Sequence, residues 1–484
     1  MPQHMEIGSQ LKSGGQHRGY DLITSDVSNG SVIKSKDIPK QRIKEHIKIA
    51  VDEHLHWRKN DIKSSVALCP LTERPLQHDW TLYCIKSRPQ HHIRAAIGII
   101  LVKMSKLTLP IIPSRHRALV LHSTRDPYDM SVVETETPKA EMGSAVVRVL
   151  AAAVLTYANR VYSGRKPYLY PKSFVPGSSA VGRVVDVGQD ATKLKPEQLI
   201  YFDTYVQGRD DTTALFLHGL SGGFTPGSNK LMETVWRDST YAEYAKLPLE
   251  NCFPLDEARL LGSPAEGGLG YSFSDLVYLF TISIPFGGLR DVDVKAGEKV
   301  VISPATGAFG SAAVFSALAM GARVVAMSRT LSSLEPLKQL GFGDRIQFVQ
   351  NTGDVETDVK ELTKDGPADV FFDISPGAAI KSTHFKSCIQ SLRRGGRVSL
   401  MGAHQELTLP TQFIMLYDIT IKGKWMYTKE DMRVMINLVE TGYLKLGEVG
   451  GIKTVGTFPL EEFDAAFDAA SKMRGSGLQV VIVP

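Results

Sequence analysis

Between Lys299 and Arg329 the chain reads KVVIS, PATGAFGSA, AVFSALAMGA and RVVAMSR: an apolar strand, a glycine turn, a small-residue helix and a second apolar strand. Few folds accept that order. A strand covered on both faces needs a short continuous apolar run, and Val300, Val301 and Ile302 supply one. The turn after it spaces Ala305, Gly307 and Gly310 like the three small residues of a dinucleotide-binding fingerprint. Gly307 would let the backbone close on a pyrophosphate, and Gly310 would let the next helix lie tightly against the strand. Thr306, Gly307, Ala308, Phe309 and Gly310 would then surround the free N–H groups and positive dipole end of a helix starting near Phe309. Such triplets also occur in ordinary glycine turns. The flanking apolar strands, within about thirty residues, separate this one from that background.

The second strand bears on which cofactor is taken. A site for NAD normally ends this strand in an acidic residue that accepts hydrogen bonds from the ribose hydroxyls. Here it ends Met327-Ser328-Arg329. A hydroxyl beside a guanidinium suits a 2′-phosphate, so NADP(H) is favoured as the cofactor. The other reading leaves Arg329 as a solvated residue at a helix start, with neither cofactor strongly selected.

At 484 residues the chain exceeds one compact core, and roughly two or three domains are expected. The formal charge of +5 is unevenly placed: residues 1–103 hold 16 Lys and Arg against 10 Asp and Glu, leaving 40 against 41 for the rest. A balanced body argues against nucleic acid as a partner, because a nucleic-acid groove is basic. Cys69, Cys84, Cys252 and Cys388 lie too far apart for a disulfide framework or a CxxC metal pair, which fits a reducing compartment. The longest apolar run, Ala95 to Val102, is too short to span a bilayer and too far along the chain to be a secretory signal. A cytoplasmic protein with no membrane partner is expected.

Residues 1–103 are rich in Gln, His, Lys and Ser and lack a sustained period, apart from a plausible helix around Lys40–Trp57. They read as a disordered extension or as translated upstream sequence; a targeting or partner-binding tail is the alternative. From Arg117 short strands alternate with Gly and Pro turns, and residues 205–240 read as a long surface loop. After about residue 270 helices and strands alternate, with further strands at Arg345–Val349, Asp369–Phe372 and Gly396–Met401. The expected fold class is α/β: a β-rich domain over 104–270, a doubly wound parallel sheet over 271–423, and a return over 424–484. That return runs through an amphipathic helix, Asp431–Glu440, to a last strand at Gln479–Val483 that completes the β-rich domain.

The segments AVVRVLAAAVLTYANRVYSG, VPGSSAVGRVVDVG, STYAEYA and VKAGEKVVISPATGAFG carry a resemblance to the medium-chain dehydrogenase/reductase superfamily over about residues 115–484. Within it the chain looks closest to the zinc-independent, quinone oxidoreductase-like branch and to fungal alcohol dehydrogenase-like proteins. The resemblance implies a GroES-like catalytic domain beside a Rossmann domain, and assembly as a homodimer or homotetramer. Zinc-dependent relatives bind the catalytic metal through a Cys, the His and Glu of a Gly-His-Glu motif, and a second Cys or acid. Leu155 aligns with the first of these positions, the Gly-His-Glu site reads Gly177-Ser178-Ser179, and no cysteine lies between Val206 and Ala242, where a structural zinc lobe would be. Leucine and serine cannot replace thiolate and imidazole ligands, so no metal is expected.

Without a metal, the substrate oxygen must be polarised by hydrogen bonds or a proton donor. Tyr157 aligns with the Ser or Thr that relays the substrate proton in zinc enzymes, and is the catalytic candidate; a packing role is the alternative. Tyr162, Tyr168 and Tyr271 are weaker candidates of the same kind. By the resemblance, Ser375 and Gly402 lie against the ribose and nicotinamide. Asp373 reads as a turn or helix cap, and His404 as a solvated loop residue or one reaching cofactor or substrate. The expectation is an NADPH-dependent, zinc-independent reductase passing hydride to a small-molecule enone, quinone or carbonyl, as in secondary metabolism. The alternatives are a carbonyl–alcohol dehydrogenase of the same fold and a non-catalytic NADPH-binding protein.

Overall fold

The computed structural model describes residues 22–25, 67–69, 80–86, 98–103 and 112–484 apart from Pro167. The chain divides into two compact units, residues 1–111 and 112–484. In the first, the strands Leu22–Ser25, Gly98–Lys103, Trp80–Lys86 and Ala67–Cys69 form, in that order, an antiparallel four-stranded sheet. The sequence reading found no strands there, although WTLYCIK and GIILVK carry the β-branched and aromatic residues that strands favour. The helix expected around Lys40–Trp57 lies outside the described residues, as does most of the segment expected to be disordered.

In the second unit, the eleven-residue strand Ser144–Val154 is the hub of the β-rich domain. It pairs along one edge with Ala180–Val187, and along the other first with Tyr244–Pro248 and then with Leu478–Ile482. The last strand therefore pairs back onto the hub of the β-rich sheet. Leu199–Phe202 and Cys252–Pro254 extend the sheet on one side, and Lys453–Phe458 on the other.

The segment expected to be a surface loop is different in kind. Tyr205–Gln207 and Leu215–Leu217 form a two-stranded ribbon, followed by the helix Pro226–Thr234. Phe216, His218 and Met232 are fully buried beneath it. Its Gly and Pro turns hid the apolar residues that anchor this lobe.

The parallel sheet runs Ile346–Gln350, Arg323–Ser328, Lys299–Ser303, Ala368–Asp373, Leu392–Leu400, Thr420–Gly423, every neighbour parallel. The period of two distributes its apolar residues to two cores. Val301, Val325, Met327 and Phe371 pack with Phe385 and Ile389 on one face. Val300, Ile302, Val324 and Phe372 join Leu289, Ala312 and Val314 on the other. The helix Gly307–Ala319 is buried from Gly310 to Leu318 because it is enclosed between the sheet and the helix Leu279–Asp291. It is bounded at Gly307, whose φ of +81° still belongs to the turn, so the regular helix starts close to the expected Phe309. Among the described residues no helix is long and apolar enough to cross a membrane.

The new lobe makes a pH prediction. His218 lies edge-on to Phe202 and Phe216, and burial pushes its imidazole down to about 4, partly offset by Asp238. A histidine held neutral in the folded state takes up a proton on unfolding below its ordinary value of 6.5. Stability is therefore complete above that value and falls as pH drops toward 4, by about 3 kcal/mol from this group. His218→Phe should flatten that part of a chemical-denaturation profile between pH 6.5 and 4; an unchanged slope would place the acid sensitivity elsewhere.

Candidate active site and cofactor cradle

In a doubly wound sheet, ligands collect outside the carboxyl ends of the strands, where the strand order reverses. Here the reversal falls between Lys299–Ser303 and Ala368–Asp373, whose following strands, Arg323–Ser328 and Leu392–Leu400, are added on opposite sides of the sheet. The glycine turn opens on that crevice. Gly307 has φ +81°, and a Cβ built on it meets nothing within 4 Å. A Cβ on Gly310 would collide with the carbonyl oxygen of Pro304. Gly307 thus leaves space outside the turn, and Gly310 lets helix and strand touch. Thr306, at the N-cap, makes no side-chain cap hydrogen bond, and the first turn holds no acidic residue. Thr306, Gly307, Ala308, Phe309 and Gly310 therefore form a cradle that fits a pyrophosphate.

At the end of the next strand, the Ser328 side chain is buried and its hydroxyl shares a hydrogen bond with Ser333 at 2.9 Å. Arg329 is exposed, and its guanidinium has no ion-pair partner among the described residues. The pair expected to hold a 2′-phosphate is thus unequal: the arginine is accessible, while the serine is engaged with its own turn.

Ser375 and Gly402 end neighbouring strands and are brought together, Ala403 N donating to Ser375 O at 2.8 Å. The Ser375 hydroxyl is committed inward, 2.5 Å from Asp373 Oδ1 and 2.7 Å from His384 Nε2. Asp373 also accepts from Ser375 N at 3.3 Å, so it caps its turn as expected. A Cβ on Gly402 would collide with Asp373 Oδ2. His404, expected to be solvated or to reach cofactor or substrate, is not solvated: its side chain is only 2% exposed, beside Asp373. His384 was not singled out by the sequence reading. It opens the helix His384–Gln390, and only the fold sets it against residues from two other turns.

In the β-rich domain, Tyr157 is half-buried at the start of the short helix Ala158–Tyr162, with Lys166 Nζ 4.3 Å from its ring centroid. Burial, then the neighbouring Tyr168, hold its phenol well above the usual range, so it is a neutral donor. Tyr162 donates to Gly219 O at 3.2 Å and Tyr271 accepts from Leu446 N at 3.1 Å, which commits both to backbone. Tyr168 is partly buried and accepts from Lys166 at 3.2 Å.

The positions that would hold zinc in relatives do not fit a metal. Leu155 is buried and apolar. Ser178 Oγ donates to Ala153 O at 2.6 Å, and Ser179 Oγ accepts from Thr204 N at 3.1 Å. Both hydroxyls are engaged, and neither serine nor leucine is a zinc ligand of useful strength. Among the described residues, one group could hold an ion: Asp373, His384 and His404.

Comparison with known proteins agrees with this architecture. A family model described as zinc-binding dehydrogenase matches residues 308–441, and one described as alcohol dehydrogenase GroES-like domain matches 141–257. An alcohol dehydrogenase of Geobacillus stearothermophilus is 26% identical, covering 76% of this chain and 99% of its own. An acryloyl-coenzyme A reductase of Metallosphaera sedula is also 26% identical, over 73% of this chain and 95% of its own. Among solved structures, a short chain alcohol dehydrogenase of Escherichia coli CFT073 complexed with NADH superposes with TM-score 0.59 at 16% identity, covering 77% of this chain and all of that one. A zinc-binding dehydrogenase of Sinorhizobium meliloti 1021 bound to NADP gives 0.58 at 19%, with the same coverage. These two show the fold.

The glycines should separate by experiment. Gly310→Ala should lower stability by about 2 kcal/mol in urea unfolding, because the strand carbonyl must move. Gly307→Ala should cost about 1 kcal/mol through its left-handed backbone and also weaken reduced-nicotinamide binding in a fluorescence titration. Equal effects of the two on binding would remove the cradle argument.

Proposed function

We propose, on the premise that the chain belongs to the medium-chain zinc-binding dehydrogenase superfamily, that it exchanges a hydride between a nicotinamide dinucleotide and the carbon of an alcohol or carbonyl group. The observation that carries this reading is the open, uncapped glycine turn at the point where the strand order reverses. The cofactor, when bound, supplies the hydride. Thr306 to Gly310 would hold its phosphates, and the Ser375 and Gly402 turns would border its ribose and nicotinamide. The neighbours bound to NADH and to NADP leave both dinucleotides in play, and exposed Arg329 favours the 2′-phosphate of NADP(H).

The chain's own share is to orient the substrate and stabilise charge on its oxygen. Tyr157, a neutral phenol, is the proposed donor. The filled hydroxyls of Ser178 and Ser179 and the apolar Leu155 support a reaction without zinc at those positions. The alcohol dehydrogenase relatives favour an alcohol–carbonyl pair over the enone or quinone expected from sequence. The acryloyl-coenzyme A reductase relative favours conjugate reduction as the second reading.

Turnover of reduced nicotinamide on a saturated ketone, measured beside a matched cyclic enone, separates the two. Faster ketone reduction supports the first, and reduction of the enone alone replaces it with the second. Arg329→Ala should weaken NADPH about tenfold with little change for NADH; equal weakening would end the 2′-phosphate argument. Tyr157→Phe should lower kcat about a hundredfold at unchanged cofactor affinity, whereas unaltered turnover would make Tyr157 a packing residue.

A further inference from the structure

Three side chains from separate turns converge beneath Gly402. Asp373 ends the strand Ala368–Asp373, His384 opens the helix His384–Gln390, and His404 follows the strand Leu392–Leu400. Each offers one ligand atom within 4.8 Å of the others. His384 Nε2 is 3.8 Å from Asp373 Oδ1, and His404 Nε2 is 3.7 Å from Asp373 Oδ2. The Asp373 side chain is fully buried and those of His384 and His404 are 6% and 2% exposed.

Their hydrogen bonding is incomplete. Asp373 Oδ2 and both ring nitrogens of His404 are buried and have no hydrogen-bond partner among the described residues. Taking a carboxylate and an imidazole out of water with such bonds unmade is costly unless a cation or donor completes them. By contrast, His384 Nδ1 is tethered to Ser382 Oγ at 2.7 Å, which directs Nε2 toward Asp373. A metal-bound histidine is normally fixed in this way through its other nitrogen.

We infer that Asp373, His384 and His404 form a binding site for a divalent transition-metal ion of the zinc class within the nucleotide-binding domain. Two imidazoles and one carboxylate make a donor set typical of zinc with a fourth position open. The set has too few oxygens for calcium or magnesium and no thiolate for copper(I). Ligands held tetrahedrally at about 2.0–2.2 Å lie roughly 3.4 Å apart. The three ligand atoms, within 4.8 Å of one another, with each histidine 3.7–3.8 Å from a different oxygen of Asp373, therefore draw together on binding. Ser375 Oγ, now hydrogen-bonded to both Asp373 and His384, gives up His384 Nε2 to the ion. All three ligands come from the parallel-sheet domain, none from the Leu155 and Gly177–Ser179 positions of the β-rich domain. The ion would tie together the Ser375 and Gly402 turns, whatever reaction the enzyme performs.

Metal-stripped full-length protein titrated with Co2+ should show one saturable visible absorption band of a tetrahedral nitrogen–oxygen site, displaced by Zn2+. His384→Ala and His404→Gln should each weaken Co2+ at least tenfold, and Ser382→Ala about tenfold through loss of the outer tether. X-ray absorption on zinc-loaded wild-type protein needs no variant, and should read imidazole and oxygen ligands without sulfur. No saturable band in the wild type, a sulfur-containing shell, or an unchanged band in folded His384→Ala and His404→Gln would overturn the site. Because binding of the ion is read directly, failure here is distinct from failure of the proposed reaction.

Discussion

The strand Lys299–Ser303 is the constraint on which the nucleotide-binding half depends. Every residue in it is buried, and it pairs in parallel with Arg323–Ser328 on one side and Ala368–Asp373 on the other. A strand in that position cannot slip by one residue without sending Val300 and Ile302 to the wrong core. Its register therefore sets Ser303 beside Asp373 and aims the glycine turn at the crevice. Gly310 completes the arrangement by letting the helix Gly307–Ala319 rest against the strand it has just left. The open glycine turn at the crevice is thus a consequence of packing the centre of the sheet.

Two buried aspartates show how differently the fold treats charge. Asp203 is fully buried, yet Tyr427 donates to it at 2.5 Å and Lys429 Nζ stands 3.0 Å away. Those contacts join the end of the strand Leu199–Phe202 to the start of the helix Lys429–Glu440, so the charge acts as a tether between distant segments. Asp373 is equally buried, has one oxygen satisfied by Ser375 and the other facing His404 without a hydrogen bond. A satisfied buried charge reads as structure; an unsatisfied one beside two imidazoles reads as a place where something binds.

Legibility in the sequence followed the range of the interactions. The strand–turn–helix–strand unit was readable because each part is local: an apolar run of period two, glycines at fixed offsets, and a small-residue helix. Gly307 itself, with φ +81°, still belongs to the turn, so regular helical backbone starts after it, close to the expected start near Phe309. The lobe over residues 205–240 was misread, since the anchors Phe216, His218 and Met232 are scattered among turn residues and show no periodicity. The solvated reading of His404 fails for a similar reason. A polar loop looks solvated until the helix bearing His384 and Phe385 covers it.

From the sequence alone came the α/β class, the dinucleotide fingerprint, the return of the C-terminal strand and the absence of thiolate and imidazole ligands at the positions that hold zinc in relatives. All of these are properties of short segments, or of residue chemistry at one place in the chain. The tertiary structure alone decided that the Ser375 hydroxyl turns inward, that Ser178 and Ser179 are engaged by backbone groups, and that Asp373, His384 and His404 meet. Those outcomes depend on which strand ends lie side by side in a sheet. That order is set by burial of two opposite faces at once, which no local pattern records.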